Sequence, residues 1–285
     1  MKNLQFIRLA LIALLSATTA QAADLASAKV LKVTGNALKY TQGGGSADLQ
    51  EGDILKEGDG ITTSFLTSVE LIFSNGTELT IDENSSLTFE EMAQEPFSGN
   101  NTYEQLSADP SRSQTLLQLN YGQVDGHVKQ LRSDSSFEIN TPLGTAAIRG
   151  TIFVIALKFD IATGDVILSV NNVNGIVEVK SPFLGEIEYG KKRVYETEVD
   201  SDAIPEEIQA LELVVESVPP AHTVIIRIKS DNPNFDTLIK KAINISPKDT
   251  SVTPPAPPGP PPPPQVTPED PGVQVTSPAT PTPFQ

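Results

Sequence analysis

Hydrophobic and polar residues alternate over short stretches along much of the chain. In the segment SVELIFSNGTELTI, residues 68–81, the alternating hydrophobic positions are Val69, Leu71 and Phe73, then Leu79 and Ile81. Alternation with a period of two predicts β-strands that bury one face. Because an Asn-Gly turn signal separates the two halves, the segment is predicted to fold as a β-hairpin.

The buried face also restricts the register of this hairpin. A two-residue Asn-Gly loop would place Leu71 opposite Thr80, whereas a three-residue loop through Thr77 would place Leu71 opposite Ile81. A shift of one residue turns the whole hydrophobic set to the other face of the sheet. The sequence therefore favours the three-residue loop with a glycine bulge.

Similar short segments recur over residues 24–190 and predict an all-β sandwich or β-solenoid. Those of the first block are Val30–Val33, Ile61–Thr63, Val69–Phe73, Leu79–Ile81 and Leu87–Phe89. A second block runs from Leu116 to Lys180, with turn signals at residues 120–122, 163–165 and 174–175. Residues 95–114 between the blocks are polar and aperiodic, and they are predicted to be an inserted surface loop.

The pattern changes after residue 190. Hydrophobic residues recur at helical spacing over Phe235–Ile243, Thr223–Lys229 alternates as a strand, and Glu206–Val215 has a weaker helical pattern. Residues 191–245 are therefore predicted to form a small α/β appendage.

The last segment, residues 246–285, holds 15 of the 23 prolines. Proline lacks a backbone donor and fixes φ, so this tail is predicted to be disordered and proline-rich. An extended spacer is the favoured interpretation, and a proline-recognition ligand is the alternative.

The first residues predict export. Residues 1–22 carry two basic residues around a short apolar run, Leu9–Leu15, and end on the small-x-small pattern Ala20-Gln21-Ala22 that a signal peptidase accepts. The run is shorter than the roughly 20 apolar residues of a membrane helix. The protein is expected to be periplasmic or secreted after cleavage following Ala22, with no integral membrane segment in the mature chain.

Charge and cysteine content narrow the class of partner and of chemistry. The net charge is −16, and removal of Lys2 and Arg8 with the signal peptide lowers it to −18. Such a chain repels phosphate backbones, so a nucleic-acid partner is not expected. Because the chain has no cysteine, burial of a hydrophobic core must stabilise the fold without disulfides.

Few residues are candidates for catalysis or metal binding. The two histidines, His127 and His222, stand outside any run with metal-ligand spacing, and both are expected to be exposed and non-catalytic. The acidic stretch EGDILKEGDG, residues 51–60, departs from the calcium-loop pattern and is interpreted as two tight turns around Ile54 and Leu55. No enzymatic activity, catalytic residue, cofactor or metal is expected.

One basic residue, Arg149, lies within the apolar stretch NTPLGTAAIRGTIFVI, residues 140–155. On one continuous strand, Arg149 shares a face with Phe153, and Gly150 allows another backbone to approach the opposite face. A buried arginine must be paired, and Glu138 is the candidate counter-ion. The favoured role is structural, with a partner contact second and catalysis last. On this interpretation Arg149→Ala would lower stability by about 2–4 kcal/mol.

Several stretches, in this order, resemble the FecR domain family. They are LQEGDILKEGDGITTSFLTSVELIFSNGTELTI, LNYGQVDGHV, FEINTPLGTAAIRGTIFVI and GDVILSVNNVNGIVEVKS, which together cover about residues 29–180. The most specific piece is a Thr-Pro-x-Gly-x-Ala-x-Ile-Arg-Gly-Thr-x-Phe signature. Its residues here include Thr141, Pro142, Gly144, Arg149, Gly150, Thr151 and Phe153.

The resemblance implies a periplasmic all-β domain. In family members such a domain receives a signal from an outer-membrane transporter during iron-siderophore uptake. With an expected signal peptide at its start, this chain is interpreted first as an exported, non-enzymatic interaction or scaffold module that binds a protein in the cell envelope. A relay of transporter state to a sigma-factor system is the alternative, and a cell-wall or carbohydrate-active enzyme is the least favoured hypothesis.

Overall fold

The computed structural model describes residues 26–41, 44–98, 101–184, 193–199 and 214–239. The strands in these ranges are β1 (Ala28–Thr34), β2 (Ala37–Tyr40), β3 (Ser46–Asp48), β4 (Ile54–Leu55), β5 (Gly60–Thr63), β6 (Ser68–Phe73), β7 (Glu78–Ile81), β8 (Ser86–Gln94), β9 (Ser113–His127), β10 (Ser136–Thr141), β11 (Gly144–Arg149), β12 (Ile152–Phe159), β13 (Val166–Asn172), β14 (Ile176–Ser181), β15 (Val194–Glu198), β16 (Val214–Val218) and β17 (His222–Ile228). A 3₁₀ turn covers Tyr103–Gln105, and residues 235–239 are helical.

The strands form two sheets that share the long strand β9. Sheet A has the order β4-β1-β6-β7-β9-β12-β13-β17-β15. Sheet B has the order β3-β2-β5-β8-β9-β10-β11-β14-β16. The pairs β9–β10 and β15–β17 are parallel, and the other described pairs are antiparallel. The second half of β9 belongs to sheet A and its first half to sheet B.

The two sheets pack face to face around one hydrophobic core. Phe73 of sheet A contacts Phe137 of sheet B edge-on, with ring centroids 5.5 Å apart, and its centroid lies 6.1 Å from that of Phe89. These three rings are at most 1% exposed. The predicted all-β sandwich is confirmed, and its alternating inward residues supply the core that a chain without cysteine requires.

The β6–β7 hairpin has the predicted loop length but a different register. Its loop is residues 74–76, so Leu71 lies opposite Leu79 and not opposite Ile81. The last residue of a three-residue loop adopts a left-handed conformation, and Gly76 takes it with φ 85°. The register expected from the sequence would have put Thr77 at this last loop position. A β-branched residue such as threonine disfavours the left-handed conformation. The predicted odd loop length was right, but the predicted strand register was wrong by two residues.

Most of the predicted turns are present, with one exception. Gly52 and Gly58 form the tight turns on either side of β4, and turns at residues 163–165 and 174–175 join β12 to β13 and β13 to β14. The turn predicted at residues 120–122 is wrong, because β9 continues through it. At Tyr121 and Gly122 the strand passes from sheet B into sheet A without reversing.

The segment between β8 and β9 packs against the sandwich. Its 3₁₀ turn is followed by a bridge between Ala108 and Gln130, and the Asp109 amide donates to the Gln130 carbonyl over 3.1 Å. Leu106 is 9% exposed. This segment therefore forms a wall beside the end of β9.

Residues 214–228 extend the two sheets. β17 pairs with β13 along its whole length, and β16 pairs with β14. Val214 and Val215 belong to a strand, which corrects the helix predicted over Glu206–Val215 at that end, while residues 206–213 lie outside the described residues. The strand predicted near residues 223–229 and the start of the helix at Phe235 are confirmed.

The predicted signal peptide, residues 1–22, and the proline-rich tail, residues 246–285, lie outside the described residues. Within the described ranges, the structure has no helix with the length and apolar character needed to cross a membrane.

Candidate functional site

The residues of the Thr-Pro-x-Gly to Thr-x-Phe signature fall into two groups at opposite ends of β11. The first group builds the β10–β11 turn. The Thr141 hydroxyl accepts hydrogen bonds from the amides of Leu143 and Gly144 over 3.2 and 3.1 Å and donates to the Gly144 carbonyl over 2.8 Å. A Cβ at Gly144 would lie 2.8 Å from the Lys180 carbonyl oxygen, so glycine permits the approach of β14.

The second group forms a corner at which the chain leaves sheet B and enters sheet A. β11 ends at Arg149, and β12 begins at Ile152. Gly150 has φ 57°, a left-handed conformation that favours glycine. The turn after β13 packs on this corner, because a Cβ on Gly175 would overlap the Gly150 carbonyl oxygen.

Thr151 holds the corner in place. Its fully buried hydroxyl lies 2.8 Å from the Arg149 carbonyl and 2.9 Å from the Ile176 carbonyl, and it accepts from the Ile176 amide over 2.8 Å. Its backbone also exchanges two hydrogen bonds with Val128, of 3.0 and 2.9 Å. The corner is thus joined to β14 and to the end of β9, and its backbone is fixed.

Arg149 itself is exposed, which corrects the prediction of a buried, paired arginine. Ile148 and Phe153 are 1% and 0% exposed although they lie five positions apart, an odd number. On one continuous strand they would point to opposite faces. The break at Gly150 brings both into the core and turns Arg149 outward.

The expected counter-ion does not reach Arg149. Glu138 lies opposite Ala147 in the β10–β11 pair. Within the described residues the Arg149 guanidinium makes no ion pair or side-chain hydrogen bond. Against the described residues, all five of its donors are therefore available to bind another group.

An open groove of about 520 Å³ lies beside this corner. Its lining residues are Ser107, His127, Val128, Lys129, Gln130 and Gly150. One wall is the corner, which the Val128–Thr151 backbone pair fixes. The other is the segment before β9, which the Ala108–Gln130 bridge holds. We call this feature the corner groove.

Two basic residues lie in or next to the corner groove of this strongly acidic protein. The Lys129 ammonium lies 2.9 Å from the Glu78 carboxylate and 3.3 Å from Nδ1 of His127. Lys129 lines the groove with an ion-paired ammonium, and the exposed Arg149 directly precedes the lining residue Gly150 in the chain. Such groups bind carboxylates, and arginine does so with two parallel hydrogen bonds.

Both histidines are partly buried, in contrast to the predicted exposure. His127 lines the corner groove, whereas His222 stacks on Tyr195 with ring centroids 5.7 Å apart and planes at 12°. The sequence could not place His127 at a groove, because the opposite wall comes from residues about 20 positions earlier in the chain.

The acidic stretch of residues 51–60 uses its carboxylates in its own turns. The Asp53 side chain accepts from the Gln50 amide over 3.0 Å, and that of Asp59 accepts from the Lys56 amide over 2.9 Å. This geometry agrees with the interpretation as two tight turns. Over the part of the chain that the structure describes, three or more potential metal ligands nowhere come together.

Comparisons with known proteins find partial matches to solved structures. Two crystal structures of a candidate anti-sigma factor from Parabacteroides distasonis, at 1.65 and 2.50 Å resolution, match with a TM-score of 0.35 and 13% sequence identity. Each match covers 58% of this chain and 53% of the other, so the chain spans about half the length of that protein. No curated protein matches the chain.

The family model described as FecR protein matches residues 59–178, from the turn before β5 into β14. This range contains the corner with Arg149 and all six lining residues of the corner groove. It confirms the resemblance seen in the sequence, and residues 59–178 of this chain are a FecR domain.

Proposed function

We propose that the protein is a non-enzymatic signalling component of the bacterial cell envelope that acts by binding a protein partner. It relays the state of an outer-membrane transporter to a sigma-factor regulatory system. The FecR domain at residues 59–178 supports this role, because the family resemblance implies such a relay. We further propose export, with residues 1–22 removed after Ala22 and residues 246–285 acting as a spacer.

The observation that carries the proposal is the exposed guanidinium of Arg149, which has no partner among the described residues and lies on a fixed corner. A group held by a rigid backbone loses less entropy on binding than one on a mobile loop. An arginine with no internal partner also has no bond to break before it binds. The corner therefore presents a prepared contact for a carboxylate of a partner protein.

The relay is favoured over the scaffold that the sequence alone placed first. A scaffold needs only a binding surface, whereas the FecR domain is associated with signalling. The two hypotheses share the partner contact and differ in its consequence for gene expression.

Cross-linking in living cells tests the partner contact. A photoreactive residue at position 130, on the corner groove, is expected to capture a specific envelope protein from wild-type cells. Arg149→Ala should lower the yield about tenfold, as expected for the loss of a charge-assisted contact. Arg112→Ala is the control, because Arg112 is exposed and is not among the residues that line the groove. Equal yields from the two variants would contradict the proposal.

Transcript measurements separate the relay from the scaffold. Deletion of the gene and Arg149→Ala should change expression of the same small set of genes, whereas Arg112→Ala should not. A partner that is captured through Arg149 without any change in transcripts would leave the scaffold as the function.

A further inference from the structure

The outer face of sheet B carries a continuous row of uncharged residues, all with polar side chains except one glycine. Strand pairing aligns one residue from each of six neighbouring strands, β2, β5, β8, β9, β10 and β11. The row is Tyr40, Gly60, Thr88, Gln118, Asn140 and Thr145. Leu117 and Leu119 on either side of Gln118 are fully buried, so the row lies on the face away from the core.

A second row lies beside the first and ends on another tyrosine. It consists of Leu38, Thr62, Ser86 and Tyr121. The register shift between Ser86 and Leu87 makes Asn120 an extra residue of β9, and this bulge turns Tyr121 to the outer face. Asn120 donates to the hydroxyls of Ser86 and Thr88 over 3.3 and 3.4 Å.

The two tyrosines lie at opposite ends of a floor of small side chains. Residues Gly60, Thr62, Ser86 and Thr88 separate them. Burial raises the pKa of Tyr121, and the nearby Tyr40 phenol raises it further. The Tyr121 ring remains 40% exposed. We call this floor with its two rings the tyrosine platform.

Two buried polar atoms, one in the platform and one beside it, lack hydrogen-bond partners among the described residues. They are Oε1 of Gln118, a residue that is only 4% exposed, and Oη of Tyr40. A buried acceptor without a donor costs free energy. Both atoms are covered by neighbouring side chains, so a ligand can satisfy them only if those side chains move aside.

We propose that the tyrosine platform binds an uncharged polysaccharide. Sugar rings have apolar faces that stack on aromatic side chains, and their hydroxyl groups both donate and accept hydrogen bonds. The row beyond the rings continues through Gln118, Asn140 and Thr145 at the spacing of neighbouring strands, about 4.8 Å. An extended chain of sugars can follow this track across the sheet.

The chemistry of the platform favours a polysaccharide over a protein. The central area of a protein interface is usually apolar, whereas this face offers hydroxyl and amide groups around two rings. All ten residues of the two rows are uncharged on a chain of net charge −16, so a neutral polymer meets no repulsion within the platform. The site is separate from the corner groove.

Titration calorimetry of the mature full chain with cellohexaose and chitohexaose tests the proposal. At least one of these neutral hexasaccharides is expected to bind at concentrations up to about 5 mM, the range of weak sugar sites. Tyr121→Ala should weaken binding about tenfold, while Tyr121→Phe, which keeps the ring, should stay within about threefold of wild type. Phe159→Ala, which removes another exposed ring, is the control and should bind like wild type.

A second variant guards against misfolding. Asn120 is exposed, so Asn120→Ala should keep the wild-type melting temperature and still weaken binding, because it disturbs the Ser86 and Thr88 hydroxyls. Absence of binding by both sugars would overturn the proposal, as would unchanged affinity in Tyr121→Ala and Asn120→Ala. So would binding at Tyr121 of a peptide of residues 254–264 in place of the sugars.

Discussion

The chain passes from sheet B to sheet A at two glycines that do different work. At Gly122 β9 continues as one strand, and the backbone of the turn before β8 packs against the crossover. A Cβ on Gly122 would overlap the Cα and the hydroxyl oxygen of Ser85. At Gly150 the strand breaks, and a Cβ there would find only the Gln130 Cα, at 3.8 Å.

Both glycines have positive φ, of 98° and 57°, but only the first is also required by space. At the signature corner the close approach is made by Gly175 against Gly150, and not by a backbone against Gly150 itself. A glycine that looks the same in the sequence can therefore serve packing, backbone conformation or both. The four predictions below test this difference by unfolding measurements.

The largest loss of stability is expected at the first crossover. Gly122→Ala should lower the free energy of unfolding by about 3 kcal/mol or more, because the new methyl group meets backbone that cannot move aside. Urea denaturation of the purified protein measures this. Gly52→Ala is the control, since Gly52 has φ 87° with open space around its Cα, and it should cost only the backbone strain. Equal losses in the two variants would contradict the packing role of Gly122.

The bonds of the signature corner come second. Thr151→Val keeps the shape of the side chain but leaves the Ile176 amide and two carbonyls without the hydroxyl. The expected loss is about 2 kcal/mol, as for a buried group without its partner. Thr151→Ser keeps the hydroxyl and should lose clearly less. If valine and serine destabilise equally, the hydroxyl does not hold the corner.

Gly150→Ala should have a smaller effect than Gly122→Ala. The added methyl group has room, so the cost is that of a left-handed backbone in a residue with a Cβ, about 1 kcal/mol. Gly150→Asn should cost less again, because asparagine tolerates this conformation. A loss at Gly150 as large as that at Gly122 would end the distinction between the two crossovers.

Arg149→Ala is expected to change stability least, by less than about 0.5 kcal/mol, because the side chain is exposed. Thermal unfolding followed by circular dichroism measures this. A loss of 2–4 kcal/mol, the value that follows from a buried arginine, would show that Arg149 is structural. If Arg149→Ala leaves the stability unchanged but lowers partner capture, the binding function of the corner is separate from its role in stability.

The sequence predicts the architecture well because each strand is short and amphipathic. The strand at Val69–Phe73 and the turns around β4 follow from local patterns, and so does the parity of the β6–β7 hairpin. The register of that hairpin required knowing which loop residue must be left-handed. Local alternation does not contain that information unless the glycine is assigned to its place in the loop.

The candidate site was harder to predict from the sequence. It depends on points where the side chains switch from one face of the sheet to the other, and the alternation of hydrophobic and polar residues does not reveal them. Arg149 was expected inside because β11 and β12 read as one strand, and Gly150 alone marks the break. Tyr121 was expected in a turn, and the bulge at Asn120 places it instead on the outer face. The partners of His127 and Gln118 come from distant parts of the chain, which only the fold brings together.

Strand β9 gives the domain a mechanical unity. It is hydrogen-bonded to β8 and β10 along its first half and to β7 and β12 along its second. Neither sheet can unfold alone without breaking hydrogen bonds between β9 and its four neighbouring strands. Unfolding should therefore be cooperative across the sandwich. Gln118 and His127 lie on the same strand, so a displacement of one is transmitted to the other through the covalent backbone. Through β9, the two sheets of the domain form one continuous hydrogen-bonded unit.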